Sequence, residues 1–118
     1  MNVIDEQILE SFRHEGFQNL TKIQKISYPV ISRKQNCLLV APTGSGKTEA
    51  SLIPILSLLD SERARNIDFV QDSAIFVLYI TPLRALNNDV HRRIIEYANR
   101  RNLDAQIRHG DTSRIAKQ

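Results

Sequence analysis

The sequence predicts an α/β fold with a parallel sheet flanked by helices. Two continuous apolar runs, residues 37–40 (CLLV) and 74–80 (AIFVLYI), have the character of buried strands. Each run is followed by a segment that predicts a helix, the first apolar on most sides and the second with apolar residues at helical spacing. Strands that alternate with helices favour a parallel sheet, because each helix carries the chain back to the edge where the next strand starts.

Length and composition suit one soluble domain. The chain has 118 residues, of which 42% are hydrophobic and 25% are charged, as is ordinary for globular proteins. The net charge of +3 weakly favours a polyanionic partner, although basic residues on a solvated surface are the commoner cause. A single cysteine, Cys37, excludes an internal disulfide, and no apolar run is long enough to span a membrane. We therefore expect a reducing, cytoplasmic location.

The amino-terminal residues 1–36 predict two helices. The first is amphipathic, and Gly16 can end it in a left-handed conformation. The second opens at Thr21 and Gln24, which have the Thr-x-x-Gln spacing of a capping box, and it is predicted to bury Ile23 and Ile26.

The later elements follow in the same way. The first strand leads into a Gly-rich turn and a helix over residues 46–59, and the charged, aperiodic residues 60–73 predict a loop. Apolar residues at helical spacing predict an amphipathic helix over residues 83–101. A weaker third strand is predicted over residues 105–109.

The Gly-rich turn has the composition of a phosphate-binding P-loop. Gly44 and Gly46 let the backbone curl so that several N–H groups face inward, and the following helix adds its dipole. Lys47 would bridge the β- and γ-phosphates of ATP, and the Thr48 hydroxyl would bind Mg²⁺. Ala41 stands where the strict pattern has glycine, which is a minor departure because alanine is small. The predicted nucleotide-binding residues of the turn, with Lys47 also catalytic, are Ala41, Pro42, Thr43, Gly44, Ser45, Gly46, Lys47 and Thr48.

Four segments together resemble a known family. They are GFQNLTKIQ (16–24), APTGSGKTEA (41–50), YITPLRALNND (79–89) and RHGDTS (108–113). Their order and spacing resemble the first RecA-like motor domain of superfamily-two helicases, and most of all the Lhr-type branch. The resemblance implies an incomplete RecA-like sheet over residues 1–118, with ATP and Mg²⁺ as cofactors and single-stranded or duplex DNA or RNA as partner. It also implies that the chain is the amino-terminal part of a longer helicase.

The same resemblance assigns roles around the nucleotide. Gln24 resembles the glutamine that reads the adenine edge, and Phe17 is placed to stack on the base. Glu49 would orient Mg²⁺ or its water. Each has a simpler alternative, because Gln24 can cap its helix, Phe17 can pack as a hydrophobic staple and Glu49 can be a solvent-exposed helix residue.

Two further segments resemble motifs that contact a nucleic-acid backbone. Pro82, Leu83 and Arg84 match the first, where a strand end and helix start offer N–H groups and Arg84 adds a charged fork. Gly110 and Thr112 match the next motif, with Thr112 as another phosphate donor. A helix cap explains Thr112 equally well, and a strand-ending proline and a solvated arginine are the alternative for the first segment.

Neither predicted strand after the Gly-rich turn, 74–80 or 105–109, ends in the paired acids that hydrolysis needs for Mg²⁺ and water. We therefore expect no activity from this chain alone, and open strand edges should favour its self-association. Two alternatives remain open, namely a non-catalytic nucleotide- or nucleic-acid-binding remnant and a small P-loop metabolite kinase.

Overall fold

The computed structural model describes residues 3–65, 75–81, 88–106 and 108. Within them the chain forms four helices, which are α1 (Val3–Arg13), α2 (Lys22–Ser32), α3 (Lys47–Arg65) and α4 (Asn88–Arg100). The chain divides into two compact units, Met1–Ala74 and Ile75–Gln118. The expectation of one domain over the whole chain stays a prediction.

Helix α1 is terminated by a turn that contains the glycine that the sequence predicts. Gly16 has a φ of +86°, its N–H donates to the Arg13 carbonyl at 2.9 Å, and the Phe17 N–H donates to the Phe12 carbonyl at 3.1 Å. This pair of bonds is a Schellman motif, which a left-handed glycine allows. The rings of Phe12 and Phe17 also meet edge to face with centroids 6.0 Å apart, so the end of α1 is fixed by packing as well.

Helix α2 begins with the predicted capping box. The Thr21 side chain accepts from the Gln24 N–H, and the Gln24 side chain accepts from the Thr21 N–H. The predicted burial of Ile26 is wrong, because this side chain is 58% exposed. The buried face of α2 includes Ile23, as predicted, together with Gln24 and Ser27, whose side chains donate to the Gly46 and Ala50 carbonyls, and this turns Ile26 towards solvent.

The core of the first unit joins α1, α2 and α3. A side-chain cluster on the three helices contains Ile8, Phe12, Tyr28 and Ile53, with Phe17 and Leu20 packed against it. The Ser11 and Tyr28 hydroxyls share a hydrogen bond of 2.9 Å between α1 and α2. Burial of large apolar side chains is the main stabilising contribution in such a cluster, and here it anchors the helix that follows the Gly-rich turn.

Helix α3 is longer than the sequence pattern predicts. Residues 60–65 are helical, so the loop predicted over 60–73 is wrong for that part, and residues 66–73 lie outside the described residues. The segment lacks apolar periodicity, but its Glu and Arg residues have good helix propensity. The Lys34 ammonium also bonds the Glu62 carboxylate at 3.0 Å, which ties the end of α2 to the extension.

The predicted strands are absent from the described residues. Leu38 and Val40 are 87% and 80% exposed, and Ile75 and Ile80 are 83% and 81% exposed. The described residues of the third predicted strand (105, 106 and 108) are also irregular. A strand needs a neighbour for its backbone hydrogen bonds and cover for its side chains. The described residues include no strand that could pair with these segments, and several of the apolar side chains there are exposed, so an apolar run alone does not make a strand here.

In the second unit, α4 confirms the amphipathic helix for the part that is described. Tyr97 and Ala98 are buried, while Arg92 is exposed and pairs with Asp89 at 2.6 Å. After α4, Asn102 has a φ of +55°, and the Asn102 and Leu103 N–H groups donate to the Asn99 and Ala98 carbonyls in a turn of the same type as that after α1. Residues 83–87 of the prediction lie outside the described residues.

Candidate nucleotide-binding site

The turn between residue 40 and α3 is held in a curled conformation by its glycines. Gly44 and Gly46 have φ values of +79° and +80°, which side chains other than glycine rarely tolerate. The Ser45 N–H donates to the Pro42 carbonyl at 3.2 Å and closes the turn. A Cβ built on Gly44 would meet nothing within 4 Å, so the space beside this glycine is open to a ligand.

The turn runs directly into the amino terminus of a long helix. Helix α3 begins at Lys47, and its first backbone bond joins the Ala50 N–H to the Gly46 carbonyl at 2.9 Å. The N–H groups of Lys47, Thr48 and Glu49 therefore precede the first residue that can bond within the helix. Together with the helix dipole they give this end of α3 a partial positive charge, which suits an anion. The Lys47 side chain is exposed and that of Thr48 is half-buried.

A buried hydroxyl in the turn also bears on whether the turn fits a phosphate group. The Ser45 Oγ is buried and has no hydrogen-bond partner among the described residues. A buried polar group normally has a partner, and leaving it without one is costly. The open space at Gly44, the N–H groups of the helix end and the exposed ammonium of Lys47 fit a phosphate group. The Thr48 hydroxyl is a hard oxygen donor, which suits Mg²⁺.

The structure places Glu49 away from solvent. Its residue is 4% exposed, so the alternative of a solvent-exposed helix residue is wrong. Buried carboxylates are rare unless they are paired or bound to metal, and Glu49 makes an interaction within the protein. Its role towards Mg²⁺ stays a prediction.

Gln24 lies against the turn, as well as capping its own helix. Its Oε1 accepts from the Thr21 N–H at 3.0 Å, and its Nε2 donates to the Gly46 carbonyl at 3.3 Å. The residue is 2% exposed. The capping role is therefore present, and the predicted contact with adenine stays a prediction. The link between Gln24 and Gly46 is a feature that the sequence pattern did not reveal, because nothing local connects positions 22 residues apart.

Phe17 is partly buried against the core cluster and contacts Phe12. This packing belongs to the end of α1, and stacking on a base stays a prediction. The predicted nucleic-acid-binding residues Pro82, Leu83, Arg84, Gly110 and Thr112 lie outside the described residues. None of the helices in the described ranges is both long enough and apolar enough to cross a membrane.

Comparison with known proteins identifies the family. The DEAD/DEAH box helicase family matches residues 21–118. The chain is 35% identical to "ATP-dependent helicase Lhr-Core" of Sulfolobus acidocaldarius over 100% of the chain and 15% of that protein. It is 36% identical to the protein of that name in Saccharolobus solfataricus, over 83% of the chain and 11% of that protein. It is 34% identical to "Probable ATP-dependent RNA helicase DDX52" of Bos taurus, over 79% of the chain and 14% of that protein. No solved structure matches.

The matched region therefore spans less than a fifth of each of these relatives. The family match includes the capping box, the Gly-rich turn and all of the chain that follows, and it favours a helicase over a metabolite kinase. The family also implies a P-loop fold of the RecA type, although the described residues are helical or irregular. The chain belongs to the DEAD/DEAH box helicase family of superfamily two, and it resembles the amino-terminal region of the Lhr-like helicases.

Proposed function

We propose that this chain is the ATP-binding part of a nucleic-acid-dependent ATPase and helicase. The observation that carries the proposal is the left-handed conformation of Gly44 and Gly46 immediately before the amino terminus of α3. This arrangement suits a phosphate chain, and it occurs in a member of a helicase family. The relatives' names state that they are ATP-dependent.

Each residue at the helix start has a distinct role in this proposal. The Lys47 ammonium binds the β- and γ-phosphates, and the adjacent N–H groups bind phosphate oxygens. The Thr48 hydroxyl holds Mg²⁺, which when bound offsets charge on the phosphates. Glu49, buried in the first turn of α3, orients the ion or its water. The Ser45 hydroxyl gains a partner when a phosphate or an ordered water occupies the turn.

The proposed nucleic-acid contacts lie in the two segments that resemble motifs contacting the sugar-phosphate backbone of DNA or RNA. Pro82, Leu83 and Arg84, with Gly110 and Thr112, contact the phosphates of DNA or RNA. Contacts of this kind are insensitive to sequence and weaken with salt. The remainder of a longer helicase chain is the other partner that the family implies.

The test of the nucleotide site is the preference for ATP over GTP in a Gln24→Ala variant. A side-chain amide has two N–H groups and two lone pairs, and the bonds to Thr21 and Gly46 use one of each. The remaining N–H and the remaining lone pair of the amide match the acceptor and donor on the adenine edge. Because Gln24 is 2% exposed, the base must first displace the groups that cover it. We expect calorimetry to show that the wild type binds Mg-ATP more tightly than Mg-GTP and that the variant loses most of this preference.

Thr21→Ala is the matched control, since it removes the other half of the capping box while the amide remains. An equal loss of melting temperature in both variants, with the ATP preference unaltered in Gln24→Ala, would show that Gln24 only caps its helix. A wild type that binds neither nucleotide would contradict the proposed function itself.

We also propose that the chain self-associates through its exposed apolar segments. Leu38, Val40, Leu78 and Ile80 expose large side chains on irregular backbone, and such segments favour pairing with another chain. Light scattering should show a mass that rises with concentration. Leu78→Lys should shift the equilibrium towards the monomer, whereas Ile26→Lys, at an exposed position on α2, should not. A monomeric wild type at all concentrations would contradict this proposal.

A further inference from the structure

We propose that the solvent-facing side of α2 is a docking surface for an acidic segment of another protein. The segment has a defined chemistry, because it carries a large apolar side chain between its carboxylates. The surface, here called the α2 outer face, consists of Lys22, Lys25, Ile26 and Arg33, all of which are exposed. The proposal holds whether or not the Gly-rich turn binds a nucleotide.

Positive charge is concentrated in the part of the chain that contains α2. Residues 16–48 include five basic residues and no acidic residue, although the net charge of the whole chain is only +3. Two of the five have other places in the structure, because Lys47 begins α3 and Lys34 pairs with Glu62. The other three are the cations of the α2 outer face. A group of cations without interspersed carboxylates attracts an anionic partner.

The four residues of the α2 outer face share one side of the helix. Positions 22, 25, 26 and 33 return to the same side of an α-helix, over about 16 Å of its axis. The opposite side is buried and contains Ile23, Gln24, Ser27, Tyr28 and Ile31. Among the described residues, none of the three cations forms an ion pair with a carboxylate. An incoming carboxylate therefore displaces no existing pair in that part of the chain.

The exposed apolar side chain indicates which kind of anion fits. Ile26 is 58% exposed and lies among the cations. The phosphates of a nucleic acid would pair with the cations and leave Ile26 in water, and the α2 outer face has no aromatic ring on which a base could stack. A membrane binds a helix in proportion to the apolar area that the helix buries, and Ile26 is the one large apolar side chain of this face.

An acidic protein segment satisfies both parts of the α2 outer face. Its carboxylates pair with the cations, and its apolar side chain covers Ile26. An apolar anchor surrounded by polar contacts is the usual organisation of a protein–protein interface. Because one face of a short helix is a small area, we expect a weak and salt-sensitive complex.

The experiment measures binding of a synthetic peptide by fluorescence anisotropy at low salt. The probe contains Glu, Ala and Leu, with a stripe of Leu flanked by Glu, and it has about 18 residues because shorter helices are marginal in water. A second peptide has Lys in place of every Glu. The chain variants are Lys25→Glu/Arg33→Glu and Ile26→Ala. Arg92→Glu/Arg100→Glu on α4 is the matched control, since it makes the same change in net charge at two exposed positions.

We expect the wild type to bind the Glu peptide and not the Lys peptide. Lys25→Glu/Arg33→Glu should weaken binding of the Glu peptide about tenfold, because two exposed charge pairs are replaced by two repulsive ones. The same variant should gain affinity for the Lys peptide. Ile26→Ala should weaken binding of the Glu peptide about fivefold, the loss typical of an interface anchor. The α4 control should stay within about twofold of the wild type, and circular dichroism checks that each variant is folded.

Three results would overturn the proposal. One is a wild type that does not bind the Glu peptide at millimolar concentration. Another is an equal loss of affinity in Lys25→Glu/Arg33→Glu and in the α4 control, which would make net charge the cause. The third is an unchanged affinity in Ile26→Ala together with a loss of single-stranded oligonucleotide binding in Lys25→Glu/Arg33→Glu, which would assign the α2 outer face to nucleic acid.

Discussion

Replacement of Lys47 with alanine is expected to weaken Mg-ATP binding by about 10- to 150-fold while the fold is retained. One hydrogen bond to a charged group contributes about 1.5–3 kcal/mol, and in the proposed site Lys47→Ala removes at least one such bond to a phosphate. The side chain is exposed and belongs to no part of the core cluster. Its loss should therefore change binding far more than melting temperature. Calorimetry with Mg-ATP provides the affinity, and circular dichroism provides the fold.

Lys34→Ala is a suitable control for the change in net charge. The Lys34 ammonium pairs with Glu62, which lies 15 residues after Lys47 on the same helix, or about 22 Å along its axis. At that distance an exposed charge is largely screened by salt, so affinity should change by less than about twofold. Equal losses in the two variants would mean that overall charge, and not the loop, determines nucleotide affinity.

The isolated chain is expected to hydrolyse ATP no faster than its Lys47→Ala variant. Neither predicted strand after the Gly-rich turn, 74–80 or 105–109, ends in paired acids for Mg²⁺ and water. An arginine at the γ-phosphate is absent from the P-loop and Gln24 segments, and such an arginine alone contributes about 10³–10⁵ in rate. The wild-type chain should thus bind nucleotide without measurable turnover, as a non-catalytic binding module would.

Steady-state phosphate release, with and without single-stranded DNA or RNA, measures this directly. Turnover that nucleic acid stimulates and that Lys47→Ala abolishes would contradict the expectation. It would indicate that another acid of this chain, such as Asp111, completes the metal site.

The local features of the fold could be predicted from the sequence. Gly16 ends α1 and Thr21 opens α2 because the required conformations and capping bonds depend on a few neighbouring residues. Gly44 and Gly46 curl the turn for the same local reason. Features that depend on distant partners could not be predicted in this way. The predicted strands are absent because a strand depends on a pairing partner elsewhere in the chain, and Leu38 and Ile75 lie exposed on irregular backbone. The exposure of Ile26 follows from hydrogen bonds of Gln24 and Ser27 to the start of α3.

In the candidate site, too, local features could be predicted from the sequence and features that depend on distant residues could not. The Gly-rich turn is one contiguous stretch of sequence, so its glycines and Lys47 could be identified from the sequence pattern alone. The burial of Glu49 and the bond from Gln24 to Gly46 arise from the packing of α2 on α3, which no local pattern states. These two features fix how Glu49 and Gln24 lie relative to the Gly-rich turn.

The central claim is that Mg-ATP binds at the Gly-rich turn, and mapping of backbone amide shifts by NMR during a titration tests it most directly. We predict that the largest shifts occur at residues 44–48, with a smaller effect at Gln24 and little change at Lys34. Saturable shifts confined to other parts of the chain, or no shifts at millimolar Mg-ATP, would contradict the claim.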